Sequence, residues 1–206
     1  MKKVVLAGLA CLAVMAIAGI IAFRTIAAKE APGELSKDVS PKLAKSLQAK
    51  IDAVRNASRD PNHKPGSKRL ELSEAELESY LLYSLKDDIP AQIDTAEVQL
   101  AADTISLDTQ ITFASNATGN AMVDALVGGT HNLFLKGKLI GRQSRGKFDL
   151  LEVRVDGIPV PIVLIQTLLK KYVKPKYPDV DLNAPFDLPW GIEELKLDSG
   201  KATVVY

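Results

Sequence analysis

The chain has 206 residues, of which 47% are hydrophobic, 25% are charged and 5% are aromatic, and it contains one cysteine. This composition is typical of a globular domain and excludes a disordered, collagen-like or disulfide-rich protein. The 26 Lys and Arg residues are balanced by 25 Asp and Glu residues without a run of like charges. The sequence therefore predicts no nucleic-acid partner.

The first predicted element is a membrane anchor. Residues 4–23 contain no charged or strongly polar side chain, and these twenty residues are preceded by Lys2 and Lys3 and followed by Arg24. A helix of this length spans a hydrocarbon core of about 30 Å. Because the two lysines mark the cytoplasmic side, we expect a single-pass protein of the cell membrane whose C-terminal domain is extracytoplasmic.

Two alternatives to an uncleaved anchor stay open. A cleavable signal peptide could end at Ala16-Ile17-Ala18, although cleavage there would leave the apolar residues 19–23 exposed. Lipidation of Cys11 is disfavoured because Gly8 stands three positions before it, where a lipoprotein signal has a branched apolar residue, and because the apolar stretch continues beyond the cysteine.

Three regions are predicted along the chain: the anchor at 1–24, a spacer at 25–67 and an extracytoplasmic α+β domain at 68–206. The spacer is expected to hold one amphipathic helix and a loop. Ser40-Pro41 is an N-cap and first-turn signal, and apolar residues then recur at helical spacing up to Ala57. These residues are Leu43, Leu47, Ile51 and Val54.

The first half of the domain combines a helix with a hairpin. A strand is predicted at 68–72, and Ser73 with Glu76 forms a capping box that opens a helix to about Lys86. From residue 93 to 113 the hydrophobic period changes to two, with a polar turn at Ala102-Asp103, which predicts a hairpin.

The second half is predicted to continue with a short helix at 121–127, a second hairpin, a helix from Ile162 to about Tyr172 and a final hairpin. The second hairpin has strands at 133–140 and 147–155 around a loop at 141–146. Its second strand changes phase, which predicts a bulge near Leu150-Leu151. The last hairpin pairs 195–197 with 202–206.

Residues for catalysis or metal binding are scarce. The only histidines are His63 in a predicted loop and His131 at a strand start, and no serine lies in a Gly-x-Ser-x-Gly motif. Residues 179–183 resemble the start of a calcium loop, but Ala184 and Trp190 stand where Gly and Glu are required. We therefore expect no enzyme, no cofactor and no metal site, and we rank an envelope hydrolase third among the functions considered.

The expected fold class is α+β, with a strongly bent antiparallel meander sheet wrapped around or against two to three helices and preceded by one transmembrane helix. The helix opening at 70–81, the β-meander, residues 155–161 leading into an apolar helix, and the closing segments 185–192 and 197–200 together resemble small bacterial envelope proteins of the tubular lipid-binding superfamily. The resemblance covers roughly residues 68–206. It implies one curved sheet around a helix and a role in holding or passing lipid-like molecules, while the helix at 40–57 is a departure.

The leading functional hypothesis is a non-enzymatic domain that binds or passes a lipid-like apolar ligand between the bent sheet and the helix beginning at Ile162. The alternative is a structural or assembly protein of the cell envelope that acts through a protein partner. Hydrophobic period alone cannot separate the two hypotheses, because residues facing a cavity and residues facing each other have the same spacing. The candidate ligand-lining residues are Leu107, Ile111, Phe113, Leu135, Leu139, Phe148, Val153, Ile162, Ile165 and Leu169.

Overall fold

The computed structural model describes residues 39–85, 92–113, 129–168 and 184–206. Within these ranges the protein has an α+β fold in which nine strands form one sheet with antiparallel pairing throughout. The predicted fold class is confirmed at this level. None of the helices in the described ranges is both long and apolar enough to cross a membrane, and the predicted anchor at 4–23 lies outside those ranges.

The helical elements are α1 (Pro41–Ala57), α2 (Glu74–Tyr83), α3 (Ile162–Leu168) and a 3₁₀ helix (Pro189–Gly191). The strands are β1 (Arg69–Ser73), β2 (Gln92–Ala101), β3 (Thr104–Phe113), β4 (Gly129–Arg142), β5 (Arg145–Val155), β6 (Ile158–Pro159), β7 (Phe186–Asp187), β8 (Glu194–Asp198) and β9 (Lys201–Val205). The strand order is β1-β9-β8-β4-β3-β2. Strand β5 pairs with β4 and carries the short strands β6 and β7 on its other edge.

Helix α1 begins and ends where the sequence predicts. The Ser40 hydroxyl oxygen accepts a hydrogen bond of 3.3 Å from the Leu43 N–H, and Pro41 occupies the first turn. Of the predicted stripe, Leu43 and Ile51 are partly exposed, whereas Leu47 and Val54 are buried together with Ala44 and Ala57. These small side chains belong to the surface that packs against α2 and the 3₁₀ helix.

Helix α2 follows β1 directly through the predicted capping box. The Ser73 N–H donates to a Glu76 carboxylate oxygen at 3.0 Å, and the Glu76 N–H donates to the Ser73 hydroxyl oxygen at 3.2 Å. The helix ends at Tyr83 rather than near Lys86, because the N–H groups of Ser84 and Leu85 both donate to the Tyr80 carbonyl and close the last turn. Lys86 itself lies outside the described residues.

All three predicted hairpins are present. The β2–β3 turn is at Ala102-Asp103, and the β8–β9 turn is at Ser199-Gly200. The loop predicted at 141–146 is wrong, because only Gln143 and Ser144 lie outside the strands. Both residues have positive φ, of 52° and 60°, and such two-residue turns match the twist of the flanking strands.

The predicted β-bulge is confirmed at Leu151. Glu152 pairs with Lys136 whereas Leu150 pairs with Gly137, so Leu151 is the additional residue in β5 and its side chain is exposed. The bulge restores the phase of the strand. As a result, Phe148, Leu150 and Val153 all face the same side of the sheet.

Two predicted helices fall wholly or partly outside the described ranges. The helix predicted at 121–127 lies between β3 and β4 in residues that the structure does not describe. The helix predicted from Ile162 is confirmed from Ile162 to Leu168 as α3, and its predicted continuation to Tyr172 is outside the described part.

The Glu76 carboxylate joins α1, β1 and α2. It accepts hydrogen bonds of 2.7 Å from both the Ser46 hydroxyl and the Lys50 ammonium, in addition to the capping bond from Ser73. Burial raises the pKa of Glu76, but these hydrogen bonds and the positive charge of Lys50 outweigh that effect and lower it below 4.5. Glu76 thus stabilises the fold as an ionised group.

We predict that Glu76→Gln lowers the free energy of unfolding at pH 7 by about 1–3 kcal/mol, because the Lys50 ammonium loses its charged partner. The depressed pKa means that the wild-type contribution is complete above pH 4.5 and is lost as the pH falls through the folded-state pKa. The variant should therefore differ most from wild type near neutrality and least in acid. Urea unfolding at several pH values measures the difference.

The matched control is Glu71→Gln, which removes an exposed carboxylate that lies 2.7 Å from the Lys201 ammonium. Solvent screens this surface pair, so we expect little change in the free energy of unfolding. Equal losses in the two variants would contradict the role assigned to Glu76.

Candidate functional site

The candidate ligand-binding face is formed by side chains of neighbouring strands. Leu107, Leu135 and Val153 lie side by side across β3, β4 and β5, and Leu139 lies opposite Phe148. Ile111 is on the same face, opposite His131. The strand register therefore brings together the six predicted site residues whose side chains are described in these strands. We call this surface the inner face.

Helix α3 supplies two further predicted residues, Ile162 and Ile165. The helix contacts β5, and Ile165 is fully buried. The chain enters α3 from β6, where the Val160 N–H donates to the Val153 carbonyl oxygen at 2.8 Å. Leu169 and the side chain of Phe113 lie outside the described part of the chain.

Burial divides the predicted site residues into two groups. Ile111, Leu135, Val153 and Ile165 are buried, with exposed fractions of 6%, 6%, 1% and 0%. In contrast, Leu107, Leu139, Phe148 and Ile162 remain partly exposed. Leu107 and Leu139 also pack against a core cluster that includes Val98, Leu100 and Leu197. The inner face is thus continuous with the core beside α2, while part of its apolar surface remains open.

Aromatic rings cover two glycines of this region. A Cβ atom at Gly137 would lie 2.3 Å from the Phe148 ring, and a Cβ atom at Gly146 would lie 2.4 Å from the Phe186 ring. A side chain at either position would require the ring to move, so each ring lies directly on the strand backbone. Hydrophobic patterning did not predict these two contacts, although Gly137 stands alone within a predicted strand and such a glycine indicates close approach.

A polar pair lies at one end of β4. The His131 Nδ1 atom is 2.8 Å from an Asp156 carboxylate oxygen, and the other carboxylate oxygen accepts a hydrogen bond of 2.9 Å from the Asn132 N–H. Asp156 has φ of 50°, in the left-handed region, and its own N–H donates to the Asn132 carbonyl at 2.7 Å. The pair connects the beginning of β4 to the β5–β6 turn. The hairpin register could have predicted it, since Leu133 pairs with Val155.

The opposite face of the sheet carries a small pocket with about 50 Å³ of free volume. The centre of the Arg154 guanidinium lies 4.1 Å from the centroid of the Phe134 ring, at a position where these residues pair across β4 and β5. The Arg154 Nε atom lies 3.2 Å from a Glu152 oxygen but is not aligned for a hydrogen bond. Asp108, Asn132 and Gly157 complete the lining.

The described residues contain no group of three His, Cys, Asp or Glu side chains arranged to hold a metal ion. Neither the models of known protein families nor the curated proteins include a match to this chain. The assignment of a function therefore depends on the geometry of the inner face and on the sequence.

We predict that Gly137→Ala destabilises the protein by about 1–3 kcal/mol, because the new methyl group must displace the Phe148 ring. The same substitution in a Phe148→Ala background should cost much less, since the ring is then absent and only the Asp149 carbonyl oxygen, 3.3 Å from the new methyl carbon, lies close. Urea unfolding of the two single variants and the double variant gives the coupling energy, which we expect to be of order 1 kcal/mol or more. Additive effects would mean that the ring does not restrict this position.

Proposed function

We propose that this protein is a membrane-anchored, extracytoplasmic and non-enzymatic domain that binds or passes a lipid-like apolar ligand on its inner face. The observation that carries the proposal is the arrangement of apolar side chains on β3, β4, β5 and α3. Four of these side chains, Leu107, Leu139, Phe148 and Ile162, remain partly exposed beside buried neighbours. An apolar acyl chain gains free energy from such a surface in proportion to the area removed from water.

The proposed ligand site also requires a bent sheet. The Leu151 bulge lies next to Gly137 on the neighbouring strand, and both features favour local bending. We propose that β4 and β5 bend here so that the inner face closes toward α3. Val163 of α3 is 72% exposed, which leaves apolar surface at the proposed entrance to the site.

Membrane attachment completes the proposal. The apolar segment at 4–23 would hold the domain near the bilayer, and residues 25–40 would connect it to α1. A ligand taken from the bilayer would then have a short path to the inner face. The resemblance of residues 68–206 to tubular lipid-binding proteins supports the same function.

Site-specific photocrosslinking tests the proposal on the full chain in its native membrane. A benzophenone analogue of phenylalanine is placed either at Phe148, on the inner face, or at Phe134, on the opposite face. Both positions are partly exposed aromatic residues in neighbouring strands, so they form a matched pair. We expect a lipid adduct at position 148 after irradiation and none at position 134, as measured by mass spectrometry of the purified protein.

The other outcomes of the crosslinking experiment are also informative. Absence of a lipid adduct at position 148 in a correctly folded protein would refute the binding of a lipid on the inner face. A protein adduct at that position would favour the structural or assembly function. Thermal unfolding of both labelled proteins provides the control for folding.

A further inference from the structure

The charges of the chain are strongly segregated although its net charge is only +1. Residues 41–69, which include α1 and the start of β1, hold eight Lys or Arg residues and two Asp residues, a net charge of +6. Residues 70–206 hold 13 Lys or Arg residues and 20 Asp or Glu residues, a net charge of −7. One continuous part of the domain is therefore basic while the remainder is acidic.

The exposed side of α1 is a narrow stripe, formed by Lys42, Lys45, Ala49, Ala53 and Asn56 at helical spacing. It lies opposite the buried side, which packs against α2. The stripe contains no acid, and its central residues are small enough to let the helix lie close to a flat surface. We call it the α1 stripe.

Three cations on or beside the α1 stripe have no partner within the described part of the chain. Lys42 and Lys45 lie on the stripe, and Arg59 follows the end of the helix; none of them forms an ion pair or a side-chain hydrogen bond with a described residue. The two acids of this segment are engaged elsewhere. Asp52 pairs with Arg55 at 2.9 Å, and Asp60 accepts a hydrogen bond of 2.9 Å from the Asn62 N–H.

The beginning of α1 is fixed to the rest of the domain. The Ser40 N–H donates to the hydroxyl oxygen of the fully buried Ser79 in α2 at 3.0 Å. The orientation of the stripe is thus set by the fold. Sixteen residues, 25–40, separate Arg24 from α1. Fully extended they would span about 55 Å, so the chain is long enough for the helix either to lie on the bilayer or to stand away from it.

We propose that the α1 stripe docks on the surface of an anionic phospholipid bilayer and so orients the domain against the membrane. Lys and Arg side chains near an anionic lipid surface bind it electrostatically, and the acidic remainder of the domain is repelled by that surface. The spacer brings the stripe within reach, and the cations at both ends of the stripe determine which side of the domain faces the lipid. Docking of the stripe rests on the membrane attachment in the proposed function, but it does not require a ligand on the inner face.

A fluorescent probe on the stripe tests this proposal in the full chain. The only cysteine is removed by Cys11→Ser, and a probe is attached through Ala49→Cys on the stripe or Gln99→Cys, an exposed position on the outer face of β2. Each protein is reconstituted into vesicles of phosphatidylcholine alone or with about 30% phosphatidylglycerol, with a quencher attached to lipid headgroups. We expect quenching at position 49 in the anionic vesicles only, and its loss in about 1 M salt, where the Debye length is about 3 Å.

Charge variants provide the matched comparison. The triple variant Lys42→Gln, Lys45→Gln and Arg59→Gln should reduce the ratio of docked to undocked protein by tenfold or more, as measured by the quenched fraction. The control is the triple variant Lys136→Gln, Lys138→Gln and Arg142→Gln on β4, which lowers the net charge by the same three units. These residues also have no partner in the described ranges. It should leave the quenching unchanged.

Several results would overturn docking. One is a probe at position 49 that stays unquenched in anionic vesicles, and another is an equal reduction of quenching by the two triple variants. Binding of the chain to a DNA duplex but not to anionic lipid would also contradict docking. Failure of the membrane anchor is a separate result. In that case the chain would not float with neutral vesicles, whereas failed docking would leave it floating with position 49 unquenched.

Discussion

The arrangement of α1 and α2 beside the sheet depends on the buried carboxylate of Glu76. This carboxylate caps α2 and accepts hydrogen bonds from two side chains of α1. It also accepts a hydrogen bond from the last residue of β1. A buried carboxylate is costly unless its hydrogen bonds are complete. Because Glu76 belongs to α2 and its partners come from α1 and β1, α1 and α2 cannot move apart without leaving this buried carboxylate unpaired.

The position of α2 then determines how the edges of the sheet are protected. Glu74 and Glu78, one helical turn apart, accept hydrogen bonds from the Leu100 and Val98 N–H groups of β2 at 2.6 and 2.9 Å. At the other end of the sheet, Lys50 donates to the Glu71 carbonyl of β1 at 2.7 Å. Unpaired strand edges promote association between sheets. Side chains of α1 and α2 thus satisfy backbone groups of the edge strands β1 and β2.

Local signals explain how much of the fold the sequence predicts. The Ser73 capping box, the turn residues of the hairpins and the change of phase at Leu151 each involve neighbours along the chain, and each led to a confirmed element. The roles of Glu74 and Glu78 could not be predicted in this way. Carboxylates at such positions on a helix have the pattern of solvated residues, and only the placement of α2 beside β2 reveals their partners.

The same distinction applies to the candidate site. A period of two placed Leu107 and Ile111 on one side of β3, and the predicted bulge placed Phe148 and Val153 on one side of β5. The register that brings Leu107 beside Leu135 could not be predicted, because β3 and β4 are not joined by a predicted hairpin. The hydrophobic period could not show that the Phe148 ring covers Gly137, since that contact depends on the side-chain conformation of Phe148. Nor could it show that β8 meets β4 at Gly141, where a side chain would lie 2.7 Å from the Leu195 Cβ atom.

The lysines of α1 have two different roles, one in the fold and one in the proposed orientation at a membrane. Lys50 points inward to Glu76 and β1, so its charge is neutralised by the junction that fixes the helix. Lys42 and Lys45 lie on the α1 stripe and remain exposed. A helix that rotated to bury Lys42 or Lys45 would also withdraw Lys50 from Glu76, leaving the buried carboxylate without its cation. The interaction that stabilises the core therefore also determines which charges α1 presents to its surroundings.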